Sequence, residues 1–163
     1  MKRVLTLIGI SLCLAILDNA FMPYLAIKGY YPSLLYVFLI CYSINNGMWE
    51  GLWIGILAGL LQDIFFVNVF GINSLLNMFM GIISGYIGCN IFKEKFFIPA
   101  FSTLLLSIVK GVMLFVILYI IKVHINLENV FFISLYNMAA AIIMYKPVYN
   151  LCQKKYMQKR WKF

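Results

Sequence analysis

Residues 33–62 read SLLYVFLICYSINNGMWEGLWIGILAGLLQ, and Glu50 is the only charged side chain in this stretch. A single helix of that length would extend about 45 Å at 1.5 Å per residue, well beyond a hydrocarbon core of about 30 Å. The triplet Asn45-Asn46-Gly47 in its middle is a turn signal. We therefore predict two helices, 33–45 and 47–66, the first of them short for a full crossing.

The rest of the chain has the same apolar character. Hydrophobic residues make up 64% and charged residues 11% of the 163 positions, whereas soluble domains have about 45–50% and about 25%. Six membrane spans of about 20 residues would use about 120 of the 163 positions. The few residues left over exclude a separate nucleotide-binding or DNA-binding module and most enzymes with an aqueous active site. We predict a single all-α transmembrane domain over residues 1–163, with spans at about 4–22, 33–45, 47–66, 72–92, 98–121 and 130–151, followed by a basic cytoplasmic tail at 152–163.

The net charge of +8 indicates orientation in the membrane. Lys and Arg collect in cytoplasmic segments. A six-helix bundle with both termini inside puts ten of these residues in the cytoplasm and two, Lys28 and Lys122, outside, whereas five spans would give nine and three. Lys110 lies within a span in this arrangement. The tail is predicted to bind anionic lipid, or alternatively a cytoplasmic protein, and no nucleic acid is indicated.

Glycines recur every fourth residue at Gly47, Gly51, Gly55 and Gly59, and Asp63 occupies the next position of the series. This spacing places them on one helix stripe, where another helix can approach closely. Two interpretations remain open. The stripe either packs against another helix of the same bundle or forms a docking face for a partner subunit.

Asp63 and Lys110 are ionisable residues within predicted spans, where such groups usually turn inward and find a partner. Two roles are open for Asp63. It is either an interfacial carboxylate that caps the next segment or meets headgroups, or a fixed polar contact that holds the outer turn near residues 71–73. Lys110 lies about 18 Å from either end of its span, farther than its side chain can reach. We hypothesise that Lys110 faces a polar cavity or a carboxylate, with Glu50 or Asp63 as the candidate partner.

The sequence contains no recognisable catalytic or metal-binding set. The four cysteines are widely separated without CxxC spacing, and there is one histidine. No Ser-His-Asp set, HExxH, Walker sequence or paired catalytic carboxylate is found. We therefore predict a non-enzymatic protein with no metal and no cofactor.

Three motifs together resemble a known family. The second span opens with Tyr31-Pro32-Ser33-Leu34-Leu35, the third runs from Gly51-Leu52-Trp53 to Leu60-Leu61-Gln62-Asp63, and the fourth opens with Gly71-Ile72-Asn73-Ser74-Leu75. The series resembles the rod shape-determining protein MreD family, whose members carry Pro-Asp-Leu-Leu, a glycine-rich Gly-Leu-Leu-x-Asp helix and Gly-Leu-Asn-Ala-Leu. This chain departs from the pattern at Ser33, where Asp is usual, and at Gln62, where an apolar residue is common.

The resemblance implies a multi-pass scaffold of the bacterial cytoplasmic membrane that belongs to the cell-elongation machinery. Its implied fold is similar to the substrate-binding (S) subunits of energy-coupling-factor transporters. Its implied partners are MreC and also MreB, RodA and a class B penicillin-binding protein, with a role in cell shape and peptidoglycan synthesis; self-association is also open. In this interpretation Gly51, Gly55 and Gly59 allow close helix approach, while Asp63, Gly71 and Asn73 order the outer turn that follows the Pro32 motif in the chain.

A competing interpretation takes the shared fold as that of a vitamin transporter's substrate-binding subunit. It requires a polar pocket open to the outside, which Lys110, Asn77 and Asn137 would line.

Overall fold

The computed structural model describes residues 2–26, 29–65, 70–90, 97–122, 128–154 and 157, with the backbone alone at 128 and 129. Within these ranges the chain is all-α and has no strand, which confirms the predicted class. The six α-helices are α1 (Lys2–Ala20), α2 (Leu34–Asn46), α3 (Met48–Phe65), α4 (Ile72–Cys89), α5 (Phe97–Ile120) and α6 (Glu128–Cys152), with one 3-10 turn at Met22–Leu25.

Every α-helix except α2 is long and apolar enough to cross a membrane. The outward faces of these helices carry large apolar side chains: Trp53 is 66% exposed, Ile120 74% and Ile143 77%. A continuous apolar surface is unfavourable in water and is typical of contact with lipid. The architecture is therefore that of a multi-pass membrane protein.

The short helix α2 forms the centre of the bundle. At 13 residues it extends about 20 Å, and every side chain from Leu35 to Ile44 is buried. It contacts each of the other five α-helices. Complete burial explains why α2 is apolar on all sides. Whether it also crosses the membrane stays a prediction.

The turn predicted between α2 and α3 is confirmed. α2 ends at Asn46 and α3 begins at Met48, with Gly47 between them at φ +94°. Glycine reaches this left-handed conformation without the strain that a side chain would add. Gly47 was also predicted to belong to the small-residue stripe. A side chain built at Gly47 would meet nothing within 4 Å, but a Cβ atom on Gly85 of α4 would lie 2.6 Å from the Gly47 carbonyl carbon, so Gly47 contacts α4 through its backbone.

Helices α3 and α4 form a close antiparallel pair. A Cβ atom on Gly55 would lie 2.5 Å from the carbonyl oxygen of Asn77, a distance that real Cβ contacts do not reach. The same close backbone approach occurs one turn to either side. We call this contact the glycine seam, and its pairs are Gly51 with Gly81, Gly55 with Asn77, and Gly59 with Ser74.

The glycine seam decides between the two interpretations of the glycine stripe. Gly51, Gly55 and Gly59 are covered by the backbone of α4 in the same chain. A partner's helix has no access to them, so the docking-face alternative is wrong at these three positions. The stripe provides packing inside the bundle, where close approach gains van der Waals contact that lipid would not supply.

Candidate functional site

Asp18, near the end of α1, caps the start of α2. Its Oδ1 accepts a hydrogen bond from the backbone N–H of Leu34 at 2.7 Å, and its Oδ2 accepts one from the N–H of Leu35 at 3.0 Å. The hydroxyl of Ser33 donates to Oδ2 at 3.0 Å. The first amides of a helix have no partner within the helix, and a carboxylate there is favoured by the helix dipole. An acid on another helix therefore caps α2 at the point where Ser33 replaces the family's Asp.

Asp63 does the same for α4. Its Oδ1 accepts hydrogen bonds from the backbone N–H and the side-chain Nδ2 of Asn73, both at 3.1 Å, and its Oδ2 accepts one from the N–H of Ser74 at 3.0 Å. Gly71 precedes the helix at φ +99°. Asp63 is only 2% exposed, so a contact with headgroups is not its role. The side chain caps the next segment and fixes the residues that follow Gly71.

Gln62 connects the two capped helix starts. Its Nε2 donates to the Ser33 hydroxyl oxygen at 2.9 Å, and its Oε1 accepts from Asn77 Nδ2 at 2.8 Å and from Lys110 Nζ at 3.1 Å. Ser33 and Gln62, the two departures from the family pattern, are thus hydrogen-bonded to each other. An apolar side chain at position 62, which the resemblance leads us to expect, would make none of these bonds.

Lys110 has the polar surroundings that its position predicted, but not the predicted carboxylate contact. Besides the Gln62 bond, its Nζ lies 4.5 Å from the centroid of the Tyr36 ring, within cation–π range. Glu50 is wrong as its partner because Glu50 forms a 2.9 Å ion pair with Arg3 at the other end of α3. Asp63 attracts Lys110 electrostatically, yet the two form no direct ion pair.

Asn137 of α6 completes the arrangement. Its Oδ1 accepts from the backbone N–H of Ser33 at 2.9 Å, and its Nδ2 donates to Ser107 Oγ at 2.7 Å. With this residue, side chains from α1, α3, α4, α5 and α6 meet at the start of α2. We call this group the polar cluster, and its members are Asp18, Ser33, Gln62, Asn77, Ser107, Lys110 and Asn137.

The polar cluster borders a cavity of about 300 Å³. Lys110 and Asn137 line it, as the transporter interpretation required, whereas Asn77 is not among its lining residues. The cavity lies at the bundle end where α1 and α3 finish and α2 and α4 start. Its polar and charged lining consists of Asp18, Asn19, Tyr31, Ser33, Tyr36, Gln62, Asn73, Ser107, Lys110, Ser134 and Asn137.

The remaining sequence predictions concern Pro32, which lies in the described part of the chain, and the basic segments, which mostly do not. Pro32 immediately precedes Ser33, the N-cap residue of α2, whose hydroxyl accepts from the N–H of Tyr36 at 3.4 Å. Most of the basic tail, including residues 155, 156 and 158–163, lies outside the described residues, as does Lys28. Their predicted roles in lipid binding and topology stay predictions.

Sequence reasoning gave little weight to Asp18 and did not identify Tyr36. Asp18 is the one acidic residue of the apolar first span, and that isolation is the signal that marks it as a partnered group. Tyr36 had no such signal. It is one aromatic residue among many, and only its position under Lys110 distinguishes it.

Comparison with protein-family models gives a match over most of the chain. A family model described as rod shape-determining protein MreD matches residues 1–155 of the chain. No curated protein and no solved structure matches.

Proposed function

The chain belongs to the MreD family of rod shape-determining proteins, and from this premise we propose that it is a non-enzymatic scaffold of the cell-elongation machinery in the bacterial cytoplasmic membrane. In this role it binds MreC and helps control peptidoglycan synthesis. MreB, RodA and a class B penicillin-binding protein are the further proposed partners. The family works within the MreB/MreC shape-determining system and is not a known enzyme family.

The observation that carries the proposal is the family match over residues 1–155, because it includes all six helices. The fold supports a scaffold role. The described residues form six packed α-helices that carry apolar side chains on their outward faces. A protein of this kind acts through its helix faces and its short termini.

We propose that both termini are cytoplasmic and that the bundle is similar to the S subunits of energy-coupling-factor transporters. The charge distribution of the sequence supports this topology. The polar cluster then lies towards the outer face of the membrane, and the Arg3–Glu50 ion pair lies towards the cytoplasm. The vitamin transporter interpretation is the second candidate, and the cavity beside Lys110 is the observation in its favour.

A partner's membrane helix must bind an outward face, since the glycine seam is closed. On α3 that face includes Trp53, 66% exposed, and on α5 it includes Leu105 and Val112, 48% and 44% exposed. We propose that MreC binds an exposed apolar face of this kind. Helix association in lipid depends on packing and therefore on the shape of such a face.

Cysteine cross-linking in cells tests the MreC proposal. Single cysteines replace Trp53, Leu105 or Val112 in a chain whose four native cysteines are serines, and cysteines are scanned along the membrane helix of MreC. Gly55→Cys, inside the glycine seam, is unsuitable because it would disrupt the fold, so Ala58→Cys, fully buried on α3, provides the negative control. A periodic cross-link from one outward face supports the proposal, and its absence from every outward face of the bundle contradicts it.

Depletion in a rod-shaped host tests the cellular role. We expect cells to widen and round when the chain is depleted, and to recover when the wild-type chain is supplied. Unchanged rods after complete depletion, combined with tight binding of a vitamin by the purified protein, would favour the transporter interpretation.

A further inference from the structure

The residues that line the cavity beside Lys110 include hydrogen-bond donors that no described residue accepts from. The hydroxyl of Tyr36 has no hydrogen-bond partner in the described part of the chain, although the residue is only 1% exposed. The Lys110 ammonium has three donors, and the described residues supply one acceptor, Gln62 Oε1. Leaving buried donors unmatched is unfavourable. Both residues line the cavity.

The nearby carboxylates do not satisfy these donors. Asp18 and Asp63 each accept three hydrogen bonds, and each caps a helix start whose dipole carries about half a positive charge. Neither forms an ion pair with Lys110. Both attract its ammonium from a greater distance, and Lys110 lines the cavity.

A merely structural lysine does not account for this arrangement. Packing within the bundle would be served by an apolar side chain at position 110, without the penalty of a charge in the membrane. The Tyr36 hydroxyl likewise makes no hydrogen bond to any described residue. Both residues instead line a space of about 300 Å³, near the lower limit of about 300–1,000 Å³ for ligand pockets.

We propose that this cavity binds a small oxyanion group, a carboxylate or a phosphate, which accepts hydrogen bonds from Lys110 Nζ and the Tyr36 hydroxyl. The group belongs to a soluble small molecule or to a lipid headgroup, since the two present the same oxygens. Gln62 positions the ammonium, and Asn137 and Ser107 contribute further polar lining. The site is independent of MreC binding and of the proposed shape role.

Ligand-induced stabilisation of the full chain tests the site. The purified protein in detergent is titrated with sodium phosphate, acetate, glutamate or glycerol 3-phosphate at an ionic strength held constant with sodium chloride, and Tm is followed by tryptophan fluorescence. A ligand that binds only the folded state raises Tm with concentration. A second arm compares vesicles of phosphatidylcholine alone with vesicles that also contain phosphatidylglycerol.

Three variants identify the site. We expect Lys110→Met to weaken binding about tenfold or more, because a charge-assisted hydrogen bond is lost, and Tyr36→Phe to weaken it by a smaller factor. Lys154→Met removes the same charge from an exposed position outside the cavity and should leave the Tm shift unchanged. If Lys110→Met does not fold, Tyr36→Phe and Lys110→Arg carry the test.

The outcomes separate the ligand sources. A shift with a soluble oxyanion that depends on Lys110 supports a soluble ligand, and a Lys110-dependent shift with phosphatidylglycerol alone supports a headgroup. No shift above chloride in either arm, or a shift that Lys110→Met and Tyr36→Phe both retain, would overturn the proposal. Cell rounding on depletion is unaffected by any of these results, so the two proposals fail separately.

Discussion

The glycine seam and the polar cluster bring helices together in different ways. The seam does so by direct backbone contact, and the cluster by hydrogen bonds between side chains. In the glycine seam the backbones of α3 and α4 touch, and there is no space for a single added carbon at Gly55. In the polar cluster, side chains from five helices meet around a cavity of about 300 Å³, and the Tyr36 hydroxyl has no partner within the described ranges. The closely packed glycine seam serves the fold. The polar cluster, which borders a cavity and contains hydrogen-bond donors without an acceptor among the described residues, is suited to bind a ligand.

The largest expected effect comes from filling the glycine seam. We expect Gly51→Ala combined with Gly59→Ala to destabilise the protein by about 3 kcal/mol or more, because the new Cβ atoms meet backbone that cannot rotate away. Thermal unfolding in detergent and the folded yield measure this loss. Gly9→Ala on α1 is the matched control: its Cβ would meet nothing within 4 Å, so the better helix propensity of alanine should leave stability equal or higher. Equal losses in the two cases would show that the seam is not closed.

A smaller effect is expected at Asp63, where the glycine seam meets the turn that precedes α4. Asp63→Ala should cost about 2 kcal/mol, because the buried amides of Asn73 and Ser74 lose their acceptor at the start of α4. Asp63→Asn keeps one acceptor oxygen and should cost less. Chemical unfolding of the three proteins measures the order. Loss of the α4 cap should also speed amide hydrogen exchange in the first turn of α4, and unchanged exchange there would contradict the capping role.

The two departures from the family pattern are expected to act as a pair. Ser33→Ala and Gln62→Leu each break their shared 2.9 Å hydrogen bond, so the double variant should lose less than the sum of the single losses. A coupling energy of about 1 kcal/mol is expected from a double-mutant cycle. Ser33→Ala with Thr6→Ala, a distant half-buried residue on α1, provides the additive control. Additivity in both cycles would mean that the Ser33–Gln62 contact contributes nothing.

The helices could be predicted from the sequence because apolar runs, and the break at residues 45–47, are local signals. The burial of α2 could not be predicted from the sequence. Lipid and protein interior both favour apolar side chains, so hydropathy does not distinguish a lipid-facing helix from one buried in the bundle. The spacing of Gly51, Gly55 and Gly59 predicted a close approach but not the helix that would make it.

For the candidate site, the sequence predicted which single residues need polar partners but not which residues those partners are. A lysine in the middle of a membrane span requires polar neighbours, and Lys110 has one in Gln62. Its acceptor, Gln62, is 48 positions away, and the cap that Asp18 provides joins residues 16 and 17 positions apart. Such pairings depend on how helices are placed against one another, which one sequence does not encode in any local pattern.

The smallest expected effect distinguishes the two regions most sharply. Tyr36 and Tyr42 lie on the same buried helix. Of their two hydroxyls, only that of Tyr42 has a hydrogen-bond partner among the described residues, and it accepts from Arg3 Nη2 at 2.8 Å. Tyr42→Phe should therefore cost about 1 kcal/mol, while Tyr36→Phe should change the free energy of unfolding by less than about 0.5 kcal/mol. Both are measured in ligand-free protein by chemical unfolding. If Tyr36→Phe costs as much as Tyr42→Phe, the hydroxyl already has a partner in the empty cavity, such as a buried water, and the polar cluster would be as structurally closed as the glycine seam.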